Sequence, residues 1–463
     1  MYGQKKDNKP WLLERRAFLR LGTGLGLSSL LFGWSNPIQA EILSNSFSIN
    51  PAVTPRGSAK NCLLIILRGG PSHIDTFDIK VGNWTPSKLG VAQNSAGFLW
   101  PTGVMPQLAK KANKFSIVRS LQHVEVVHER AEYYAETGRR LNPGLRAEIP
   151  HIGAVIALEQ ETTRISSDIF PGFMVFGGGG YSNNGFLSAN FSPFVIDDAG
   201  SGINNLLPVD GLSSFERRRE SLKLLNEINK GETNAARQTF SVFQEQAEKM
   251  MRDPATASTF LVNEADRKRY GNNYFGVSLA AARNVFKANR GTRFIEVDQY
   301  GWDNHINIYD DGPYNLPNLC RQFDTAFSSL LDDLGASSGV KAQTLLDETL
   351  IVVMGEFGRT VGTLNQTKGR DHYPYAFSAM FAGGGVKGGR VIGSTDETGA
   401  GVKDLGWSQN RPVHLPDIVT TIYSSLGIDW TKTLTNTPSG RVYRYADPTA
   451  VGDEDSYEIT PLF

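Results

Sequence analysis

Four of the seven histidines in this chain stand beside acids, in short clusters far apart in sequence. The clusters are Pro71-Ser72-His73-Ile74-Asp75, His128-Glu129-Arg130, Gly301-Trp302-Asp303-Asn304-His305, Gly355-Glu356-Phe357-Gly358-Arg359 and Gly369-Arg370-Asp371-His372. Imidazoles and carboxylates gathered in one place can ligate a divalent metal ion or work as a general acid and base. Arginines among them suit an anionic oxygen, which a guanidinium grips with paired hydrogen bonds.

Each cluster has a plainer reading beside the chemical one. Asp303 and His305 are two apart after a strand-like run, so in extended backbone both point to one side and could share an ion; Asp303 would otherwise cap a surface turn. Glu356 follows six apolar residues, where a lone buried carboxylate is costly. It needs a metal or a cation, and Arg359 is the nearby candidate for a simple ion pair. Asp371 and His372 can both ligate, or the acid can orient the imidazole, with Arg370 clamping an anion. His128 opens a helical stretch running to Thr137, where free N–H groups favour anions, but a polar helix start needs no further role. His73 and Asp75 lie in a Gly-Pro loop where turn-making competes with metal binding. His123, His151 and His414 lack a clustered acid and are read as structural.

The elements that must position these clusters are legible as apolar runs. Cys62 to Leu67, Phe294 to Val297, Thr349 to Met354 and Phe377 to Ala382 lack polar alternation, as strands buried on both faces do. Cys62 is therefore read as a small core residue. Ser214 to Lys249, Leu279 to Asn289 and Arg321 to Leu334 read as helices, the last with Phe323, Phe327, Leu330, Leu331 and Leu334 at core-facing spacing. Alternating strands and helices predict a layered α/β domain with a mostly parallel sheet. Loops leaving the ends of parallel strands converge on one crevice, so the distant clusters are expected to meet there.

The 463 residues, 40% hydrophobic and 20% charged, are those of a folded globular chain. No basic surface resembles a nucleic-acid site. The glycine runs at 177–180 and 383–385 match neither a phosphate loop nor a dinucleotide fingerprint and are read as turns. The first forty residues carry Lys5, Lys6, Lys9, Arg15, Arg16 and Arg20 against Asp7 and Glu14. Arg15-Arg16-Ala17-Phe18-Leu19-Arg20, an uncharged stretch and Ile38-Gln39-Ala40 form a twin-arginine export pattern. The expectation is a signal over 1–40, a polar leader over 41–60, a domain over 61–440 and a tail over 441–463. Export would use the twin-arginine translocase and end in the periplasm or outside the cell.

Leu67-Arg68-Gly69-Gly70-Pro71-Ser72, Asp75-Thr76-Phe77-Asp78, Arg269-Tyr270-Gly271 and Gly383-Gly384-Gly385-Val386-Lys387-Gly388-Gly389, with the clusters above, resemble the bacterial family called domain of unknown function 1501. That family resembles the alkaline phosphatase and sulfatase superfamily. Glu348 to Gly358 is similar to the sulfatase strand ending in Asp-His-Gly, Leu415 to Ile422 to its Asp-Ile-Ala-Pro-Thr helix, and Thr137-Gly138-Arg139 to the close of its nucleophile helix. The resemblance implies an alkaline-phosphatase-like three-layer sandwich. It also implies departures: Glu356 and Phe357 stand where ligand Asp and His belong, Arg68 where a metal-binding Asp belongs, and His128 at the nucleophile position.

Two functions are consistent with this reading. One is a metal-dependent hydrolase of a phosphate or sulfate ester, with His73, Asp75, Asp303, His305, Glu356, Asp371 and His372 as candidate ligands and His128, Arg359 and Arg370 as candidate catalytic groups. The other is a non-catalytic protein that binds an anionic glycan or envelope partner in the same crevice.

Overall fold

The computed structural model describes residues 47–48, 53–178, 180–203, 206, 211–228, 235–447 and 455–463. The expected signal and half of the leader, 41–46 and 49–52, lie outside these residues. We number the strands of the main sheet β1 (Asn61–Leu67), β2 (Phe115–Leu121), β3 (Phe173–Phe176), β4 (Phe194–Ile196), β5 (Phe294–Gln299), β6 (Thr349–Met354), β7 (Phe377–Ala382) and β8 (Val391–Ile392). Among the described residues, the seven helices of nine or more residues are α1 (His128–Thr137), α2 (Ile152–Gln160), α3 (Gly211–Ile228), α4 (Ala235–Arg252), α5 (Tyr274–Ala288), α6 (Leu316–Ala336) and α7 (Leu415–Ser425).

The strands lie in the order β8-β2-β7-β6-β1-β5-β3-β4. Pairing is parallel throughout β6-β1-β5-β3-β4 and between β8 and β2, and antiparallel where β7 meets β2 and β6. This is the mostly parallel α/β sheet that the apolar runs foretell. Every residue of β1, β5, β6 and β7 is buried, because both faces are covered. Leu63, Ile65 and Leu67 pack into one core with α5 and α6; Cys62, Leu64 and Ile66 pack into the other with α1, α2 and α7. Helix α6 buries the stripe Phe323, Phe327, Leu330, Leu331 and Leu334 as its spacing requires. The single helical stretch read over 214–249 is two helices, α3 and α4. Residues expected as a tail join the second core through Tyr443, Tyr445, Ile459 and Leu462.

Three central strands, β1, β5 and β6, run parallel, so Arg68, Tyr300 and Gly355 leave the sheet at one edge. The segment 122–127 leaves antiparallel-paired β2 and delivers the start of α1 there as well, and a short ribbon pairing Gly358–Arg359 with His372–Tyr373 closes the crevice.

Candidate metal centre

One carboxylate oxygen organises the crevice. Asp303 Oδ1 lies 3.2 Å from His128 Nε2, 3.0 Å from His305 Nε2, 3.3 Å from His372 Nε2 and 2.5 Å from an Nη2 of Arg359. His305 Nε2 and His372 Nε2 are 3.0 Å apart. A carboxylate oxygen has too few lone pairs for four donors, so these contacts are not all hydrogen bonds. The contacts with the three imidazoles do match the edges of a coordination shell, since a tetrahedral ion with bonds of about 2.0–2.1 Å keeps its ligand atoms roughly 3.4 Å apart.

The far side of each imidazole explains its orientation. His305 Nδ1 donates to Asp371 Oδ1 at 2.8 Å, His372 Nδ1 to the Val126 carbonyl at 2.7 Å and His128 Nδ1 to Glu356 Oε1 at 2.7 Å. With the proton committed at Nδ1, the Nε2 lone pair of His305 and of His372 turns toward Asp303, as metal-ligating histidines arrange it. Among the described residues, His128, Asp303, His305 and His372 form one group able to hold an ion, and His128, Glu132 and Glu356 form another.

Close backbone packing brings these loops together. At Gly69, whose φ is +108°, a Cβ would come within 2.3 Å of the Asp303 nitrogen. At Gly369 it would come within 2.0 Å of the His305 carbonyl carbon. Phe357 walls the site, its ring centroid 4.5 Å from that of His372 and 5.0 Å from that of His128.

The electrostatics follow from these contacts. Partial burial opposes ionisation of Asp303, but hydrogen bonds from His128 and Arg359, with the Arg359 charge, hold it well below the usual carboxylate range. Burial likewise works against a charged His128, yet the Asp303 and Glu356 carboxylates lift it to about 9. The hydrogen bond from His305 keeps Asp371 low. Glu356 is fully buried, with Oε1 accepting from His128 and from the Gly69 N–H at 2.9 Å, while Oε2 has no hydrogen-bond partner.

The structure sorts the residues singled out from the sequence. His128, Asp303, His305, Glu356, Arg359, Asp371 and His372 meet in one place. Arg359 is paired with Asp303, not with Glu356. It also donates to the Gly69, Gly70 and Arg370 carbonyls. His73, Asp75 and Arg370 lie apart from the converging donors. Asp75 and Arg370 form a fully buried pair at 2.8 Å, Asp75 also accepting from Ser72 and Tyr309. Arg370 directs its other donors to the carbonyls of Thr360 and Gly362 and to Tyr309. His73 Nε2 is bonded to the Gly399 carbonyl oxygen at 2.9 Å.

Sequence reasoning missed an inner group of acids. Arg68 pairs with Glu136 at 2.5 Å, Asp298 at 2.8 Å and Glu296 at 2.9 Å, with Glu132 at 3.9 Å. His151 Nε2 lies 2.9 Å from Glu296. Burial raises Glu136 and Glu132 to about 7 despite Arg68. It raises Glu296 as well, Asp298 adding to the effect. His128, Glu132 and Glu136 recur at helical i, i+4 spacing along α1, a signal that was present.

The chain belongs to the family described as protein of unknown function (DUF1501), whose model matches residues 59–454. No curated protein matches it. Among solved structures it is similar to a protein in the alkaline phosphatase superfamily from Vibrio parahaemolyticus, at 13% identity and a TM-score of 0.36, covering 86% of this chain and 76% of that one. It is also similar to the C-terminal periplasmic domain of EcEptC from Escherichia coli in complex with Zn, at 11% identity and 0.35, covering 89% of each chain. Alkaline phosphatase from the Antarctic bacterium TAB5 matches at 10% identity and 0.30, covering 72% of this chain and 92% of that one.

Proposed function

We propose that this DUF1501 member is a metal-dependent hydrolase of an anionic ester, with Asp303, His305 and His372 as ligands. The observation that carries the proposal is the orientation of His305 and His372. Each has its Nδ1 proton fixed outward on an acceptor, and both Nε2 atoms lie within 3.3 Å of Asp303 Oδ1. Three protein ligands with a fourth position left over is the pattern of catalytic zinc sites, whereas four closed ligands mark structural ones. When bound, a divalent ion supplies Lewis acidity toward the ester oxygen and makes an attacking water more acidic.

The chain's own groups do the rest. His128, its Nδ1 held by Glu356, stands beside the open fourth position with Nε2 directed toward it, placed to give a proton to the departing oxygen. Glu356 fixes that ring through Nδ1, and the Gly69 N–H fixes Glu356. Phe357 keeps one side of the crevice dry. Arg359 anchors Asp303. On the strength of Arg15-Arg16 and the segment that follows, the protein works outside the cytoplasm after twin-arginine export.

One observation favours a second reading, a non-catalytic binder of an anionic glycan or envelope partner. Arg359 has its guanidinium occupied by three carbonyls and Asp303, so it is not free to clamp a substrate. If His128 is a fourth ligand, the shell is closed and the ion is structural. The variant H128A separates the two. Retention of one equivalent of metal with loss of phosphate- or sulfate-ester hydrolysis supports the hydrolase. Loss of metal, in a wild type inactive on both ester panels, supports the binder.

A further inference from the structure

Asn365 lies in none of the clusters that the sequence singles out, yet both ends of its side-chain amide are engaged beside the candidate metal centre. Its Oδ1 accepts the Thr367 N–H at 3.1 Å and the Gly369 N–H at 2.8 Å. Its Nδ2 donates to the His305 carbonyl at 3.2 Å and to Asp371 Oδ1 at 3.1 Å. That carboxylate oxygen is the one that receives the Nδ1 proton of His305.

The two ends have different explanations. A side-chain oxygen that accepts an N–H two residues on closes an Asx turn, which aspartate does as readily as asparagine. Turn formation therefore accounts for Oδ1 and leaves Nδ2 without a reason. The two backbone donors on Oδ1 also settle that the NH2 end faces Asp371.

The main chain around His305 is held by other means. Asn307 N–H donates to the Thr367 carbonyl and Ile308 N–H to the Lys368 carbonyl, each at 2.9 Å, and Arg370 N–H donates to the Asn304 carbonyl at 3.0 Å. The Thr367 hydroxyl also reaches the His305 carbonyl, at 2.6 Å. The Asp371 carboxylate has less support. Its side chain is 55% exposed, and among the described residues His305 and Asn365 are the groups that donate to it. A wet carboxylate with one donor keeps much of its rotamer freedom, and a second donor mounted on a closed turn removes it.

We infer that Asn365 is a positioning residue of the metal centre, holding Asp371 where it accepts the His305 Nδ1 proton. That acceptance keeps the Nε2 lone pair of His305 turned toward the ion. Asn365 acts through Asp371 and touches neither metal nor substrate. The inference rests on the proposed metal centre and adds the group that keeps its exposed outer carboxylate in register.

The test compares wild type, N365S, D371A and the double variant, each as the full chain. Serine retains a hydroxyl that closes the turn, though more weakly, and lacks the amide donor. Zinc affinity is read by competition against a fluorescent chelator, with circular dichroism as the check on folding. One step beyond an outer partner worth 10- to 100-fold, N365S is expected to bind zinc about fivefold more weakly, at unchanged stoichiometry. The double variant is expected within about twofold of D371A, because residues acting as one unit are not additive, whereas independent effects multiply. The visible absorption of bound Co(II), which follows ligand geometry, is expected to shift alike in N365S and D371A. Wild-type zinc affinity in N365S, or losses that multiply in the double variant, overturns the inference and leaves the metal centre standing. A folded wild type that binds no zinc overturns the inference and the centre together.

Discussion

Asp371→Asn is the smallest perturbation that separates a metal centre from a cluster of surface hydrogen bonds. Asp371 accepts the Nδ1 proton of His305 at 2.8 Å and an N–H of Asn365 at 3.1 Å, with its side chain 55% exposed. Asparagine keeps the shape and one carbonyl acceptor but gives up the charge. A charge-assisted hydrogen bond is roughly twice as strong as a neutral one, so about 1 kcal/mol of ligand basicity and orientation is at stake, reduced by solvent. Metal affinity is then expected to fall about fivefold in D371N. D371A removes the acceptor altogether and belongs within the 10- to 100-fold range of such outer partners; its exposure places it near about tenfold, or 1.4 kcal/mol. H305A removes a ligand and is expected to cost at least about a hundredfold. Competition against a fluorescent zinc chelator at fixed pH measures all three, with circular dichroism as the check on folding. Stoichiometric binding by H305A at wild-type affinity, or unchanged affinity in both Asp371 variants, would refute the reasoning.

The inner acids make a pH prediction for metal-free protein. Glu296, Glu136 and Glu132 hold protons in the fold that the unfolded chain has released, as does His128, so the native state binds more protons between about pH 6.5 and 8. Stability therefore falls as pH rises through that window; below it, buried neutral His123 and His151, lowered to about 4, pull the other way. Thermal melts of E296Q should show a shallower decline from pH 6.5 to 8 than wild type, and an unchanged slope would count against the assignment. R370A should lose about 3–5 kcal/mol in urea denaturation, because Asp75 is left buried without its partner; an undiminished midpoint would mean that the pair is not structural. G69A places a Cβ on the Asp303 backbone, and is expected to lose both thermal stability and metal affinity, read by melting and by the same chelator competition.

The sheet and the convergence of loops were legible because their causes are local. Unbroken apolar runs specify strands covered on both faces, and parallel strands deliver their C-terminal loops to one edge. Asp303 and His305 were legible as a pair through their spacing, and Asp371 with His372 through adjacency. Which acid serves which base was not legible, because partner choice is set by tertiary distances. Glu356 and Arg359, three apart, look like an ion pair in sequence, yet Gly69 and His128 take the first and Asp303 the second. Asp75 and Arg370 are nearly three hundred positions apart, and nothing local announces that they neutralise each other. The inner carboxylates were overlooked for a different reason. Glu296 and Asp298 sit within a strand beside the apolar Phe294, Ile295 and Val297, and Glu132 and Glu136 resemble the wet side of a helix until the fold pairs them with Arg68.

Arg68 has one more consequence. Its guanidinium sits among Glu132, Glu136, Glu296 and Asp298, so the interior carries its own counter-charge, tethered to the backbone and impossible to extract with a chelator. The scaffold is thereby insulated from the supply of ions around it. Removing metal from the proposed outer centre should therefore leave the architecture upright.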